Sequence, residues 1–165
     1  LKSYAKHYET GEPISDELIS KMQKASKFNQ GFANTEYLAA SYLDMDWHSL
    51  DTKETQDTKS FEKKSLEGIG LIEEISSRYK TTYFQHIFTS SYSAGYYSYI
   101  WAAVLDSDAF KAFKESGDIF DVNLASKYRK YILEKGGTED PMHLYRKFKG
   151  SDPDIAALLE DRGLN

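Results

Sequence analysis

The chain has 165 residues, of which 40% are hydrophobic and 28% charged, with a formal net charge of −5. That is enough apolar material to build a core, in one domain or in part of a larger one. The acidic balance argues against a nucleic-acid partner, which would call for a basic face. No apolar run approaches the roughly 20 residues that cross a bilayer, so no membrane partner is expected. Cysteine is absent, which excludes disulfides, thiolate metal sites and a cysteine nucleophile. The chain opens on Leu1 with no signal-peptide pattern, and a start other than methionine leads to the expectation that it is a piece of a longer protein.

The pattern reads as helical almost throughout. Ile14, Leu18, Ile19 and Met22 fall at helical spacing and predict a helix over Pro13 to Ala25. Asn34 or Thr35 is placed to cap the next helix, with Tyr37, Leu38, Ser41, Tyr42, Met45 and His48 along one side. The polar run from Asp51 to Ser65 predicts a surface turn and a solvated helix. Gly68 and Gly70 interrupt the following apolar stretch. A long helix is predicted from Tyr92 to Glu115, with a break near Asp106, Ser107 and Asp108 and a stop at Gly117. Asn123 begins another helix, which ends at Gly136 and Gly137. Asp140–Pro141 and Asp152–Pro153 each read as a capping aspartate followed by proline at the first helical position. They predict closing helices over about 141–148 and 153–162. No segment shows sustained strand alternation.

Six of the 13 tyrosines lie between Tyr79 and Tyr99. Tyr92, Tyr96 and Tyr99 are spaced i, i+4, i+7, which on a helix places them on one face. Gly95 lies among them and has no side chain to obstruct a ligand, and His86 precedes them. Neutral phenols donate hydrogen bonds without carrying charge near pH 7. Such donors suit an oxyanion developing during amide hydrolysis, and a histidine beside them can donate to a carbonyl or move protons. Tyrosines at helical spacing also pack in cores with their hydroxyls at the edge. Spacing leaves both readings open. The four histidines, His7, His48, His86 and His143, include no pair at i, i+4, and no H-E-x-x-H occurs. No zinc ligand set of three side chains is recognisable, so no metal ligand is assigned to this chain.

The segment HIFTSSYSAGYYSYIW (86–101) strongly resembles the tyrosine motif near the carboxy terminus of the thimet oligopeptidase family of zinc metallopeptidases. The likeness is greatest to its bacterial peptidyl-dipeptidase (Dcp) and oligopeptidase A branch. FNQGFANTEYLAASYLDMDWH (28–48), DSDAFKAFKESGDIF (106–120), GGTEDPMHLYRKFKGSDPDIAALLEDRGL (136–164) and YETGEPISDELI (8–19) resemble family segments in the same order. The resemblance implies an all-α chain, the carboxy-terminal helical part (1–165) of a two-lobed, channel-containing, zincin-like peptidase. Its partners would be short peptide substrates and the amino-terminal remainder of the same peptidase. Its zinc would be held upstream, by the two histidines of H-E-x-x-H and a glutamate on the next helix, and the isolated chain would be inactive.

By the same resemblance, Tyr99 or Tyr92 donates to the scissile carbonyl oxygen. His86 binds a peptide carbonyl, Tyr96 faces the cleft, and Ser93, Ala94 and Gly95 form a close-approach turn. Tyr97 is expected to turn away into packing. The parent is expected in the cytoplasm, with the periplasm as the alternative. The family loop before the tyrosines is glycine-rich, whereas this one reads Thr89-Ser90-Ser91, which points to a stiffer loop. The competing expectation is a helical peptide-binding or structural domain with no catalysis. An isolated chain of this kind would expose apolar surface and self-associate.

Overall fold

The computed structural model describes residues 1–164. Eight α-helices occur among them: α1 (Asp16–Ser26), α2 (Gln30–His48), α3 (Thr58–Gly68), α4 (Gln85–Phe88), α5 (Ser98–Glu115), α6 (Val122–Tyr128), α7 (Pro141–Lys149) and α8 (Ala156–Arg162). A short 3-10 turn at Thr81–Tyr83 precedes α4, and a π-turn at Arg129–Leu133 extends α6. Among the described residues the nearest approach to a sheet is one isolated bridge, Lys6 to Pro13. The all-α expectation holds.

Side-chain caps fix four of the eight helix starts. Ser15 accepts the Leu18 N–H at 3.2 Å, Asp57 the Ser60 N–H at 2.9 Å, Asp121 the Leu124 N–H at 2.7 Å and Asp140 the His143 N–H at 2.8 Å. Each such cap stabilises its helix by about 1 kcal/mol. The first helix therefore begins at Asp16 and not at Pro13, because Ser15 supplies the cap. Asn34 and Thr35 cap nothing. They lie inside α2, where the Asn34 side chain donates to the Gln30 carbonyl at 2.6 Å. The Asp-Pro signal holds at Asp140–Pro141. It fails at Asp152–Pro153, because the Asp152 carboxylate is taken by Arg146 at 2.6 Å, and α8 starts only at Ala156. At the other ends, Gly117 (φ +83°) and Gly150 (φ +91°) take the left-handed conformation that ends α5 and α7.

Two corrections concern α5. The stretch from Tyr92 to Tyr97 is turn, so the helix begins at Ser98, with no side-chain cap at Tyr97. Nor does it break at Asp106 to Asp108. The Asp108 carboxylate, 1% exposed, does not cap a new helix but reaches α7. There Lys149 Nζ lies 2.6 Å from both its oxygens and the Tyr145 hydroxyl donates to Oδ2 at 2.6 Å.

The core is divided between two clusters. In one, Ala40 of α2 packs with Phe84, Ile87 and Tyr96, flanked by Tyr37, Trp47 and Tyr79. In the other, Ala109 of α5 packs with Tyr145 and Phe148 of α7, flanked by Phe113, Tyr128 and Ile132. Burying a residue such as Phe84 or Phe148 stabilises the fold by about 2–3 kcal/mol. The side of α2 that meets the core is Ala40, Leu43, Asp44 and Trp47, while Leu38, Tyr42 and Met45 face outward. Large apolar side chains are exposed elsewhere too, including Phe28 (82%), Phe120 (79%) and Tyr8 (88%).

Burial pushes the Asp108 carboxyl upward, but the hydrogen bonds from Lys149 and Tyr145 more than offset this and hold it below its ordinary value. A carboxyl lowered in the folded state stabilises the protein above its unfolded value of about 4. That contribution is lost as pH falls through the lower folded value. Lys149→Met would leave a buried charge unpaired and is expected to lower stability by about 3 kcal/mol. Urea unfolding at pH 7 and at pH 3 checks this: the deficit should be large at pH 7 and shrink in acid.

Candidate functional site

The aromatic cluster around His86 is assembled from four pieces of chain. Tyr37 comes from α2, Tyr79 from the loop before the 3-10 turn, His86 from α4, and Tyr92, Tyr96 and Tyr99 from the turn entering α5 and that helix's first turn. The half-buried His86 ring lies 5.1 Å from Tyr79, 5.7 Å from Tyr96, 6.0 Å from Tyr92 and 6.4 Å from Tyr99, centroid to centroid. Tyr92 and Tyr99 stack at 4.9 Å with their planes 19° apart. Tyr96 meets Tyr99 at 5.4 Å and stacks on Tyr37 at 5.1 Å.

The helical argument for these tyrosines is therefore corrected while the grouping survives. Tyr92 and Tyr96 reach the cluster through a turn, not along a helix face. They also sit at different depths. Tyr99 is 40% exposed and Tyr92 half-buried, whereas Tyr96 is 3% exposed and forms part of the core beneath them. Tyr97 is 55% exposed and does not turn into packing.

The left-handed residue of the turn is Ala94 (φ +52°). A Cβ on Gly95 would meet nothing closer than the Tyr92 carbonyl oxygen at 3.5 Å, an ordinary contact. Gly95 is thus not required by the fold. Its missing side chain leaves room beside the phenols.

Neutral donors line this surface. The polar contact with the Tyr92 hydroxyl, more than loss of water, pushes the Tyr99 phenol up to about 12. Tyr99 therefore keeps its proton well into the alkaline range. Burial pushes Tyr96 upward, and burial together with the adjacent Tyr96 does the same to Tyr37. The Tyr37 hydroxyl donates to the Tyr96 carbonyl at 3.1 Å. A small pocket of about 150 Å³ opens beside Tyr99, lined by Tyr37, Asn34, Ile100 and Arg162 among others.

Three hydroxyls along this loop and turn are engaged. Ser90 Oγ donates to the His86 carbonyl, Thr89 Oγ1 to the Gln85 carbonyl at 3.0 Å, and Ser93 Oγ to the Ile87 carbonyl at 2.6 Å. Glycines could make none of these side-chain bonds.

The implied zinc does not fit the residues present. Among those described, no group of three or more His, Cys, Asp or Glu side chains comes together to hold a metal ion. His86 in particular is surrounded by phenols and hydrocarbon.

With this geometry in hand, comparison with known proteins is informative. The family model for Peptidase family M3 matches residues 1–164. The chain belongs to peptidase family M3. It is 42% identical to a dipeptidyl carboxypeptidase of Escherichia coli (strain K12) over 164 residues, covering 98% of this chain and 24% of that protein. It is 38% identical to the Salmonella typhimurium dipeptidyl carboxypeptidase over 167 residues, covering 100% of this chain and 24% of that protein. It is 35% identical to oligopeptidase A of Haemophilus influenzae over 159 residues, covering 96% of this chain and 23% of that protein. The chain spans about a quarter of the length of these curated relatives. No helix among the described residues is long and apolar enough to cross a membrane.

Sequence reasoning identified His86, Tyr92, Tyr96, Tyr99 and Gly95, and the fold brings all five together. It missed Tyr79 and the site role of Tyr37, which enter from distant segments. The only sequence signal for Tyr79 was its place in the tyrosine-rich stretch. Ser90→Gly is expected to speed amide hydrogen exchange at Thr89 to Tyr92 several-fold, with α7 unchanged, in an exchange experiment followed by mass spectrometry.

Proposed function

We propose that this M3-family chain forms the substrate-contacting, carboxy-terminal helical portion of a zinc-dependent oligopeptidase that hydrolyses short peptides. The observation that supports it is the stacked pair of half-buried Tyr92 and exposed Tyr99 beside His86, at a turn where Gly95 leaves the backbone open. Tyr99 and Tyr92 are the donors. Their neutral phenols would hydrogen-bond the scissile carbonyl oxygen as it gains negative charge, a contact that strengthens in the transition state. His86 would bind a neighbouring carbonyl of the peptide. Tyr96 and Tyr37 form the floor that sets the height of Tyr99.

The metal belongs, on this reading, to the amino-terminal remainder of the same peptidase. That remainder would also cover apolar surface such as Phe28 and Phe120, and the apolar cavity of about 460 Å³ between Trp101, Leu105, Tyr128 and Met142. For the chain by itself, a peptide-binding role without cleavage is the second reading, favoured by the lack of a metal-ligand cluster among the described residues.

Two measurements test this. Zinc content and hydrolysis of a short quenched peptide are compared between this chain and a version extended upstream. Only the extended form should bind one zinc and cut, and Tyr99→Phe should slow it by about a hundredfold in kcat. Zinc binding and cleavage by the chain alone would overturn the proposal. Gly95→Ala should leave the melting temperature nearly unchanged yet raise KM for peptides, because the added methyl group meets the substrate and not the fold.

A further inference from the structure

Behind the phenols lies a buried carboxylate that the motif reading passed over. Asp44, on the last turn but one of α2, is 0% exposed. Its Oδ1 accepts the Ala94 N–H at 2.9 Å and lies 2.8 Å from His48 Nδ1, while its Oδ2 accepts the Tyr96 N–H at 2.9 Å. His48 Nδ1 also stands 2.9 Å from the Asp44 carbonyl oxygen. Both of its neighbours are acceptors, so that nitrogen carries the proton.

The turn so held is one the chain would not readily adopt unaided. Ala94 sits at φ +52°, where a Cβ crowds the following carbonyl. No side-chain cap fixes the start of α5 three residues later. The phenols flank this clamp on both sides. The Tyr92 carbonyl accepts the Gly95 N–H at 2.9 Å, and the Tyr96 carbonyl accepts both the Tyr99 N–H at 3.4 Å and the Tyr37 hydroxyl at 3.1 Å. The backbone of Ala94 and Tyr96 is thus tied to one carboxylate some fifty residues earlier in the chain, and Tyr92 and Tyr99 join it through the backbone bonds of the same turn.

We infer that Asp44 is a positioning residue of the peptidase site. Its carboxylate, held by His48, imposes the left-handed turn at Ala94 and thereby sets how the Tyr92 and Tyr99 phenols present to a peptide carbonyl. The inference rests on the reading of those phenols as substrate donors given above. A purely structural aspartate would be expected to tie packed helices together. Asp44 instead binds the site turn and a residue of its own helix.

The test uses an active peptidase that includes this chain. Asp44→Asn keeps the shape but replaces one acceptor with an amine, so one turn N–H faces a donor. It is expected to lower kcat by at least roughly tenfold, with KM changed less than about threefold, as misplacement of a transition-state donor should. Adding Ala94→Gly to Asp44→Asn should recover a substantial part of kcat, because glycine takes the left-handed turn without strain. His48→Phe, which keeps the ring but removes the Nδ1 proton, should lower kcat in the same direction and less. In the isolated chain, amide exchange should rise at Ala94 and Tyr96 in Asp44→Asn and stay unchanged in α7. Should Tyr99→Phe slow the enzyme while Asp44→Asn leaves kcat intact, the positioning role is overturned and the donor reading survives. Should Tyr99→Phe have no effect, the donor reading falls and this inference with it. Parallel loss of kcat, KM and melting temperature, with no rescue by Ala94→Gly, would reduce Asp44 to a fold residue and also overturn the inference.

Discussion

A carboxylate removed from water must find donors, and two aspartates impose that demand on this chain. Asp44 satisfies it with the N–H groups of the turn that leads into α5, and Asp108 satisfies it with Lys149 and Tyr145 of α7. Leaving either unpaired would be strongly unfavourable. The entry and the middle of α5 are thus each fixed by a buried carboxylate. The hydrophobic cluster around Phe148 packs on that helix through Ala109.

The consequence for the site is a division of labour between depth and surface. Phe84, Tyr96 and Tyr37 are floor. Their rings pack at 4.9–5.1 Å, and the Tyr37 hydroxyl is spent on the Tyr96 carbonyl. Tyr92, Tyr99 and His86 form the layer above, where hydroxyls and a ring nitrogen remain available to a ligand. On the proposed function, aromatic support beneath two neutral donors is the arrangement that electrostatic preorganisation calls for, since the donors would not need to reorganise as charge develops. The serines at 90 and 93 add local hydrogen bonds to the loop that carries His86. The exposed apolar side chains on other faces accord with a chain matching only a quarter of its relatives' length.

Much of this was legible in the residues. Helix content follows from periodicity and from the caps at Ser15, Asp57, Asp121 and Asp140, all short-range signals. Gly117 and Gly150 mark helix ends because the left-handed conformation there needs no Cβ. The ordered motifs placed the chain in its family, and the histidine and tyrosines of 86–99 were recognisable as a group. What the sequence by itself determined, then, is the helical class, the approximate place of most helices and the grouping of His86 with Tyr92, Tyr96 and Tyr99. Tertiary structure alone decided the rest, because it depends on partners remote in sequence. Arg146 takes Asp152 and so delays α8. Lys149 takes Asp108 and so lets α5 run unbroken. Asp44 holds Ala94 left-handed, which makes the tyrosine segment a turn although its spacing reads as a helix. A carboxylate's local signal is to cap a helix. Whether it does so or binds a distant group is settled only when the chain has folded and the competing donors have come within reach.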